Sequence, residues 1–394
     1  TYWNYNVERS MGGAEGYQAG STFKVFTLAA ALDAGMTPNK QYNSPTGLNT
    51  DGMTFKSCDG PFVFRQGWKP KNYDRSWGLI DMSKATENSV NTYFVQLERD
   101  VGICAAAEMA KSAGVKMASG EDILTQSHNP SFTLGTVEVT PLSMAEAYAT
   151  FANRGVHCDP IILESVQTKD GKDLEVPDAN CKKVMEPEVA DGVSYLLQKV
   201  MSNGTGRPAR MYNGRSQAGK TGTTNDNEAV WFAGYTPEMA GVAMIAIDKT
   251  DPWYENHRKS LKNVLLPSGT YLRGTGGGDA GLIWKTAMAS ALEGEKDGSF
   301  KAPTSKILEG EKVQVPSISG LSLQEARDKL EAECFTTVTN EVYSNYARGT
   351  FLGVSPNGTA TKFSTLTLSI SKGPRPKPPP PKETPSKDSK KDSK

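Results

Sequence analysis

Apolar residues recur along this chain with a helical step in several runs and with a strand step in a few others, and glycine and proline mark the joins. The first run is the most informative: Phe23, Phe26 and Ala30, with Val25, Ala29 and Leu32, return at three- and four-residue intervals. Residues 21–34 therefore read as a buried helix closed by Gly35. Further helical stretches cover 81–101, 109–118, 134–153, 188–201 and 280–292. The stretch 134–153 is apolar nearly all round, with Thr140 as N-cap and Pro141 in the first turn, so it is expected to be buried. Residues 230–235 and 241–247 read as paired antiparallel strands, whereas 37–71, rich in proline and glycine, reads as irregular with short strands. From 313 the pattern restarts with a helix over 322–333, opened by a Ser322-x-x-Glu325 capping box, and strands over 336–343 and 364–370. The expected organisation is one unit over 1–300, a linker over 301–312, a small βαββ unit over 313–373 and a disordered Pro/Lys-rich tail over 374–394.

Composition narrows the function classes. The 394 residues carry 44 basic and 44 acidic side chains, so no general field recruits nucleic acid or an anionic membrane. No apolar run of roughly 18 residues exists, so membrane attachment is expected only through a segment upstream. Position 1 reads as a cut within a longer chain, because it is not Met and a buried helix begins soon after. Five cysteines without CxxC spacing and three histidines argue against a zinc site, and neither a metal nor a cofactor is expected. Cys158 and Cys181 bracket two strand-like runs around Lys169-Asp170-Gly171-Lys172, a hairpin signal over 161–176. Either a disulfide forms there, which places the protein outside the reducing cytosol, or two thiols stay free and buried.

Candidate chemistry gathers at the first helix. Ser21 and Lys24, at i and i+3 in an opening helical turn, share a face, close enough for the amine to take the hydroxyl proton. Burial among Phe23 and Phe26 would disfavour the charge on Lys24 and free it to act as a base. The spacing alone is weak, since Ser369-Ile370-Ser371-Lys372 repeats it in a stretch that reads as a strand, where i and i+3 face opposite ways. Ser89-Val90-Asn91 lies within an otherwise helical run, and both side chains can line one site only if the backbone bends or a helix ends there. The same pattern at Ser127-His128-Asn129 and Ser355-Pro356-Asn357 falls in turn-like settings, and two polar residues on a helix surface is the plain alternative. Lys220, Thr221 and Thr223 offer one charge and two hydroxyls for a substrate carboxylate, and Gly222 lets a ligand approach an edge strand closely. Residues 214–221 also spell a phosphate-loop pattern, but polar residues precede it and strands follow, the wrong context for ATP. Residues 274–279 read as a flexible glycine loop.

Ser21-Thr22-Phe23-Lys24, Ser89-Val90-Asn91 and Lys220-Thr221-Gly222 stand in the order S-x-x-K, S-x-N, K-T-G. With the flanking Leu134-Gly135-Thr136-Val137-Glu138-Val139-Thr140-Pro141 and Trp231-Phe232-Ala233-Gly234-Tyr235, residues 1–300 resemble the transpeptidase domain of class A penicillin-binding proteins. Residues 313–372 resemble a PASTA repeat on Val315-Pro316, Gly320-Leu321, Ala326 and Val354-Ser355-Pro356. The resemblance implies an α+β fold, an antiparallel sheet flanked by helices with a helical subdomain, like β-lactamases. It implies a serine-type D-Ala-D-Ala transpeptidase outside the bacterial cell membrane, acting on peptidoglycan stem peptides and acylated by β-lactams. Ser21 would be the nucleophile, Lys24 the base, Ser89 the proton relay and Asn91 the holder of the substrate amide. Lys220, Thr221 and Thr223 would grip the carboxylate, with Gly222 between them, and the backbone N–H groups of Ser21 and Thr223 would form the oxyanion hole. A hydrolase of the same fold and a non-catalytic wall-binding or β-lactam-sensing protein are the rival readings.

Overall fold

The computed structural model describes residues 3–248, 252–257 and 260–376, so most of the Pro/Lys-rich tail lies outside the described residues. Two compact units form, Thr1–Glu311 and Lys312–Lys394.

The first unit is built around α1 (Lys24–Asp33), in which every residue from Lys24 to Leu32 is buried. A helix apolar on all sides has to be enclosed on all sides, and α3 (Asn91–Val101), α4 (Ile103–Ala113) and α6 (Pro187–Ser202) pack around it. Phe23 meets Phe26 and Phe132 edge to face at 5.0 and 5.1 Å. Before α3 comes the short α2 (Met82–Glu87), capped by Asp81, and the break between them falls at Ser89 with φ 56°. The run 81–101 is thus two helices meeting at the S-x-N motif, the bend that the shared-site reading required.

Other boundaries move. Residues 109–118 were expected to be helical; α4 instead begins at Ile103, after Gly102, and ends at left-handed Gly114, which the glycine backbone allows at no steric cost. The stretch 134–153 yields α5 (Pro141–Ala152) only from its proline onward, with Thr140 Oγ1 accepting the Ser143 N–H at 3.3 Å, because Glu138–Val139 is taken up in pairing with Tyr17–Gln18.

The antiparallel sheet runs β1 (Ala218–Thr223), β2 (Ala229–Tyr235), β3 (Ala240–Ala246), in that order, which makes β1 an edge. α7 (Gly281–Ala291) covers it, with Trp284 against Phe232 at 4.9 Å. Gly276–Ala280 before α7 is a π-helical turn, and Gly276, Gly277 and Gly278 are buried. A side chain at 276 would stand 2.4 Å from the Trp231 carbonyl and 2.5 Å from that of Gly222. The glycines expected to give flexibility instead permit backbone contact behind β1. The stretch expected to be a linker, 301–312, contains α8 (Ser305–Glu309), whose Ile307 is buried within the first unit, an apolar anchor in a polar stretch.

Two disulfides, Cys58–Cys104 and Cys158–Cys181, are present, and Cys334 is free and exposed. The second closes the hairpin Val166–Gln167/Asp173–Leu174, resolving the open choice in favour of a bond. The first spans 46 residues and ties the Thr54–Val63 hairpin to the start of α4, a closure worth about 4 kcal/mol in the chain-entropy view.

The second unit has α9 (Leu323–Ala332), opened by the Ser322–Glu325 capping box, against β4 (Thr336–Val342), β6 (Thr365–Ser371) and β5 (Phe351–Ser355). β4 and β6 pair in parallel while β5 joins β6 antiparallel, around a core of Leu330, Phe335, Leu366 and Leu368. No helix among the described residues is long and apolar enough to cross a membrane.

Candidate active site

Ser21 lies in a 3-10 turn, Gly20–Phe23, that runs directly into α1, and the Lys24 N–H donates to the Ser21 carbonyl. Three glycines wedge this turn in place. Gly20 has φ 57°, and a Cβ there would lie 2.9 Å from the Thr223 nitrogen. Gly135 accepts from the Gly20 N–H at 3.0 Å, and its own Cβ would meet the Gly20 carbonyl at 2.0 Å. Gly222 faces the Ala19 carbonyl, 2.4 Å from where a Cβ would sit. The room beside Gly222 is therefore filled by the chain itself, a correction to the expectation that a ligand would use it. Thr22 Oγ1 donates to Ala19 at 2.8 Å and the Tyr148 hydroxyl donates to the Thr22 carbonyl at 2.9 Å, fixing the turn from below.

Lys24 is 1% exposed. Its Nζ donates to the Ser89 carbonyl at 2.7 Å, to Ser89 Oγ at 3.1 Å and to Asn91 Oδ1 at 2.6 Å. The left-handed backbone at Ser89 turns its hydroxyl towards both lysines, while Asn91 is the first residue of α3. Lys220, on β1 and also 1% exposed, donates to the same Ser89 Oγ at 2.7 Å and to the Thr221 carbonyl at 3.1 Å. Burial, and then the neighbouring Lys220, hold the Lys24 ammonium well below the usual lysine range. Burial alone brings Lys220 down to about 7.

Ser21, Asn91 and Thr223 line one cleft of about 370 Å³. Stretches some two hundred residues apart in sequence thus share one space. Lys24 and Lys220 lie buried, joined to each other through Ser89 Oγ. Thr221 is outside the cleft lining; its hydroxyl pairs with that of Thr205 at 2.8 Å. Thr223 Oγ1 accepts from the Gly276 N–H at 3.4 Å.

Some residues that brace the site or the helices carrying it gave little sequence signal. Thr205 sits in a turn after α6 with no motif around it. Glu98, fully buried on α3, accepts the Thr133 N–H at 2.8 Å, and burial raises its carboxyl well above the usual range, the hydrogen bond opposing. A charge at seven residues from Asn91, hence on its helix face, was the only hint. Asn129, set aside with its S-x-N neighbours as a turn, accepts from the Ser131 hydroxyl at 2.6 Å and donates to Thr136 at 3.0 Å, and those two residues line the cleft. For metals, the described residues bring Glu146, His157 and Asp159 together, with ligand atoms within 4.8 Å of one another. His157 Nε2 meets Glu146 at 2.7 Å and Lys116 pairs with the other oxygen at 3.5 Å, so protein groups already occupy that carboxylate.

The family model for the penicillin binding protein transpeptidase domain matches residues 13–264. Penicillin-binding protein 1A of Neisseria meningitidis is 31% identical over 293 residues, 73% of this chain and 33% of that protein. Its counterpart from Aquifex aeolicus is 34% identical over 233 residues, 59% of this chain and 29% of that one. This chain therefore spans about a third of the length of these relatives. Among solved structures, PonA1 of Mycobacterium tuberculosis in complex with penicillin V is similar at a TM-score of 0.57 and 28% identity, covering 73% of each chain. The matched residues hold all three motifs, with the buried Lys24 and Lys220 among them, and the chain belongs to the penicillin-binding protein transpeptidase family.

Proposed function

We propose that this chain is a D,D-transpeptidase of cell-wall peptides, acylated on Ser21 by stem peptides ending in D-Ala-D-Ala and by β-lactams. The observation that carries this reading is one hydroxyl, Ser89 Oγ, held by Lys24 and Lys220 beneath a cleft lined by Ser21.

The buried Lys24 amine, uncharged, takes the proton of Ser21 as Oγ attacks the penultimate D-Ala carbonyl. The oxyanion forms against the backbone N–H groups of Ser21 and Thr223 at the helix start and the sheet edge, where one such donor is worth about 10²–10³ in rate. The proton passes from Lys24 through Ser89 to the departing nitrogen, the C–N bond breaks, and D-Ala leaves an ester on Ser21. An acceptor amine reverses the sequence: it attacks the ester, gives up its proton along the same path, and Ser21 regains its hydrogen.

Lys220 supplies the positive end for the terminal carboxylate, and an anion beside it raises its pKa from about 7 so that binding brings in a proton. Thr223 supplies a hydroxyl at the cleft, while Thr221 has its hydroxyl oriented by Thr205. Asn91, whose Oδ1 accepts from Lys24, is positioned to hold the substrate amide. The edge position of β1 lets an extended peptide add along it. Two disulfides agree with a location outside the reducing cytosol. The parallel–antiparallel strand arrangement of the second unit, with its helix, supports reading it as a PASTA-like module.

Mass spectrometry after incubation with penicillin tests the first step, with one adduct on Ser21 expected. Supplying a D-Ala-D-Ala donor with an amine acceptor tests the second. Only hydrolysis products would assign the chain to the carboxypeptidase or β-lactamase class, and acylation without turnover would assign it to sensing.

A further inference from the structure

The cleft has a one-sided charge. Among the described residues, its lining contains no aspartate or glutamate, and two exposed lysines, Lys69 and Lys71, stand on one wall. Among the described residues, neither has a carboxylate within ion-pair distance. The rest of the lining is neutral, including Gln18, Ser131, Thr136 and Asn225.

This wall is built rather than loose. The Trp68 carbonyl accepts from Thr50 Oγ1 at 2.6 Å, the Pro70 carbonyl from the Leu48 N–H at 2.9 Å, and Asn72 donates its N–H to Thr46 at 2.8 Å. On the other side, Asn72 Oδ1 accepts the Thr92 N–H at 3.0 Å. The Lys71 carbonyl accepts from Asn91 Nδ2 at 2.8 Å, and the same amide's Oδ1 accepts from Lys24. One side chain therefore ties the Lys69–Lys71 wall to the buried amine beside Ser21. Two exposed cations on a wall with a pinned backbone, in a cleft whose lining among the described residues carries no anion, form a receptor for a negative group. In the proposed function the D-Ala-D-Ala terminal carboxylate is assigned to Lys220 and Thr223, on the opposite element.

We propose that Lys69 and Lys71 select the acyl acceptor, favouring an amine that bears a carboxylate close to its nucleophilic nitrogen. This rests on the transfer reading above. The lysines touch the acceptor only after D-Ala has left, so they act on partition of the acyl-enzyme and not on its formation.

The test compares D-alanine with D-alaninamide as acceptors for an ester or thioester donor, reading the ratio of the two transfer rates so that intrinsic amine reactivity cancels between variants. In the unmodified protein that ratio is expected to be about five- to tenfold higher than in Lys69→Gln/Lys71→Gln. Lys69→Arg/Lys71→Arg should retain it, and about 0.5 M salt should shrink it in the unmodified and arginine proteins but not in the glutamine variant. The rate of penicillin acylation should stay within about twofold in all three proteins, showing that the fold and first step are intact. An unchanged ratio in the glutamine variant, with transfer and acylation both intact, overturns the inference alone. Absence of any transfer product in the unmodified protein overturns the transfer reading and this inference with it.

Discussion

Ser21 and Lys24 stand at the join of a 3-10 turn and a buried helix, whereas Ser369 and Lys372 stand at the end of β6 with the same spacing. Around the first pair the chain supplies an enclosure: Lys24 is buried, has three oxygen acceptors and is held well below its ordinary pKa. Around the second it supplies water: the Lys372 side chain is 41% exposed and its charge meets Glu341 at 4.0 Å. The spacing is common to both. What differs is the backbone period, which turns i and i+3 to one face or to two, and the desolvation that disfavours the ammonium and frees the amine to accept a proton. On the proposed reading, a four-residue pattern serves as a nucleophile and its base only where the fold adds those two conditions.

The sharpest way to break the comparison is to remove each serine. Ser21→Ala should abolish the penicillin adduct seen by mass spectrometry, while Ser369→Ala should leave its rate unchanged. An adduct surviving in Ser21→Ala would remove the distinction altogether. Exchanging the amines comes next: Lys24→Ala should slow acylation by about 10²–10⁴-fold in stopped-flow measurements, the usual worth of a positioned base. Lys372→Ala should alter it by less than about twofold, since an exposed ion pair is worth little.

The pH profile sharpens the comparison further, because it reports burial directly. Burial brings Lys220 down to about 7 in the empty site, and on the proposed reading its charged form receives the substrate carboxylate. As pH rises above 7 the empty enzyme loses that proton, so binding must recover one from solvent and the second-order rate of acylation should fall. The fall should be absent in Lys220→Arg, whose charge persists throughout. The smallest effect concerns paired hydroxyls, one in each unit: Thr205 with Thr221 at 2.8 Å, and Ser344 with Ser371 at 2.7 Å. Thr205→Val should lower stability by about 1 kcal/mol in thermal unfolding and slow acylation a few-fold, whereas Ser344→Ala should leave acylation untouched.

Much of this was legible in the chain. α1 announced itself through Phe23, Phe26, Ala30 and Leu32, because a periodic apolar face is a local property. The break at Ser89 followed from geometry, since residues two apart on a helix cannot serve one site. The helix starts read at 188, 280 and the Ser322 capping box lie close to those observed, whereas the start read at 134 moved to Pro141. The misses share a cause. Gly222 and Gly276–Gly278 were read as room or flexibility, yet the space beside them is filled by other parts of the chain. Thr205, Asn129 and Glu98 act through partners that are remote in sequence or face a tertiary contact, and no local pattern reports such a contact. The Cys58–Cys104 bond was invisible for the same reason, while Cys158–Cys181 bracketed a hairpin that could be read.

The backbone at Ser89, with φ 56°, also limits how this site can drift. Threonine would preserve a hydroxyl for both lysines, but a branched Cβ is strongly disfavoured at that φ, so the chemically conservative exchange is the conformationally forbidden one. Glycine and asparagine tolerate the backbone and bring no hydroxyl. Every single-residue exit from serine at position 89 therefore gives up either the shape of the junction or the oxygen it presents.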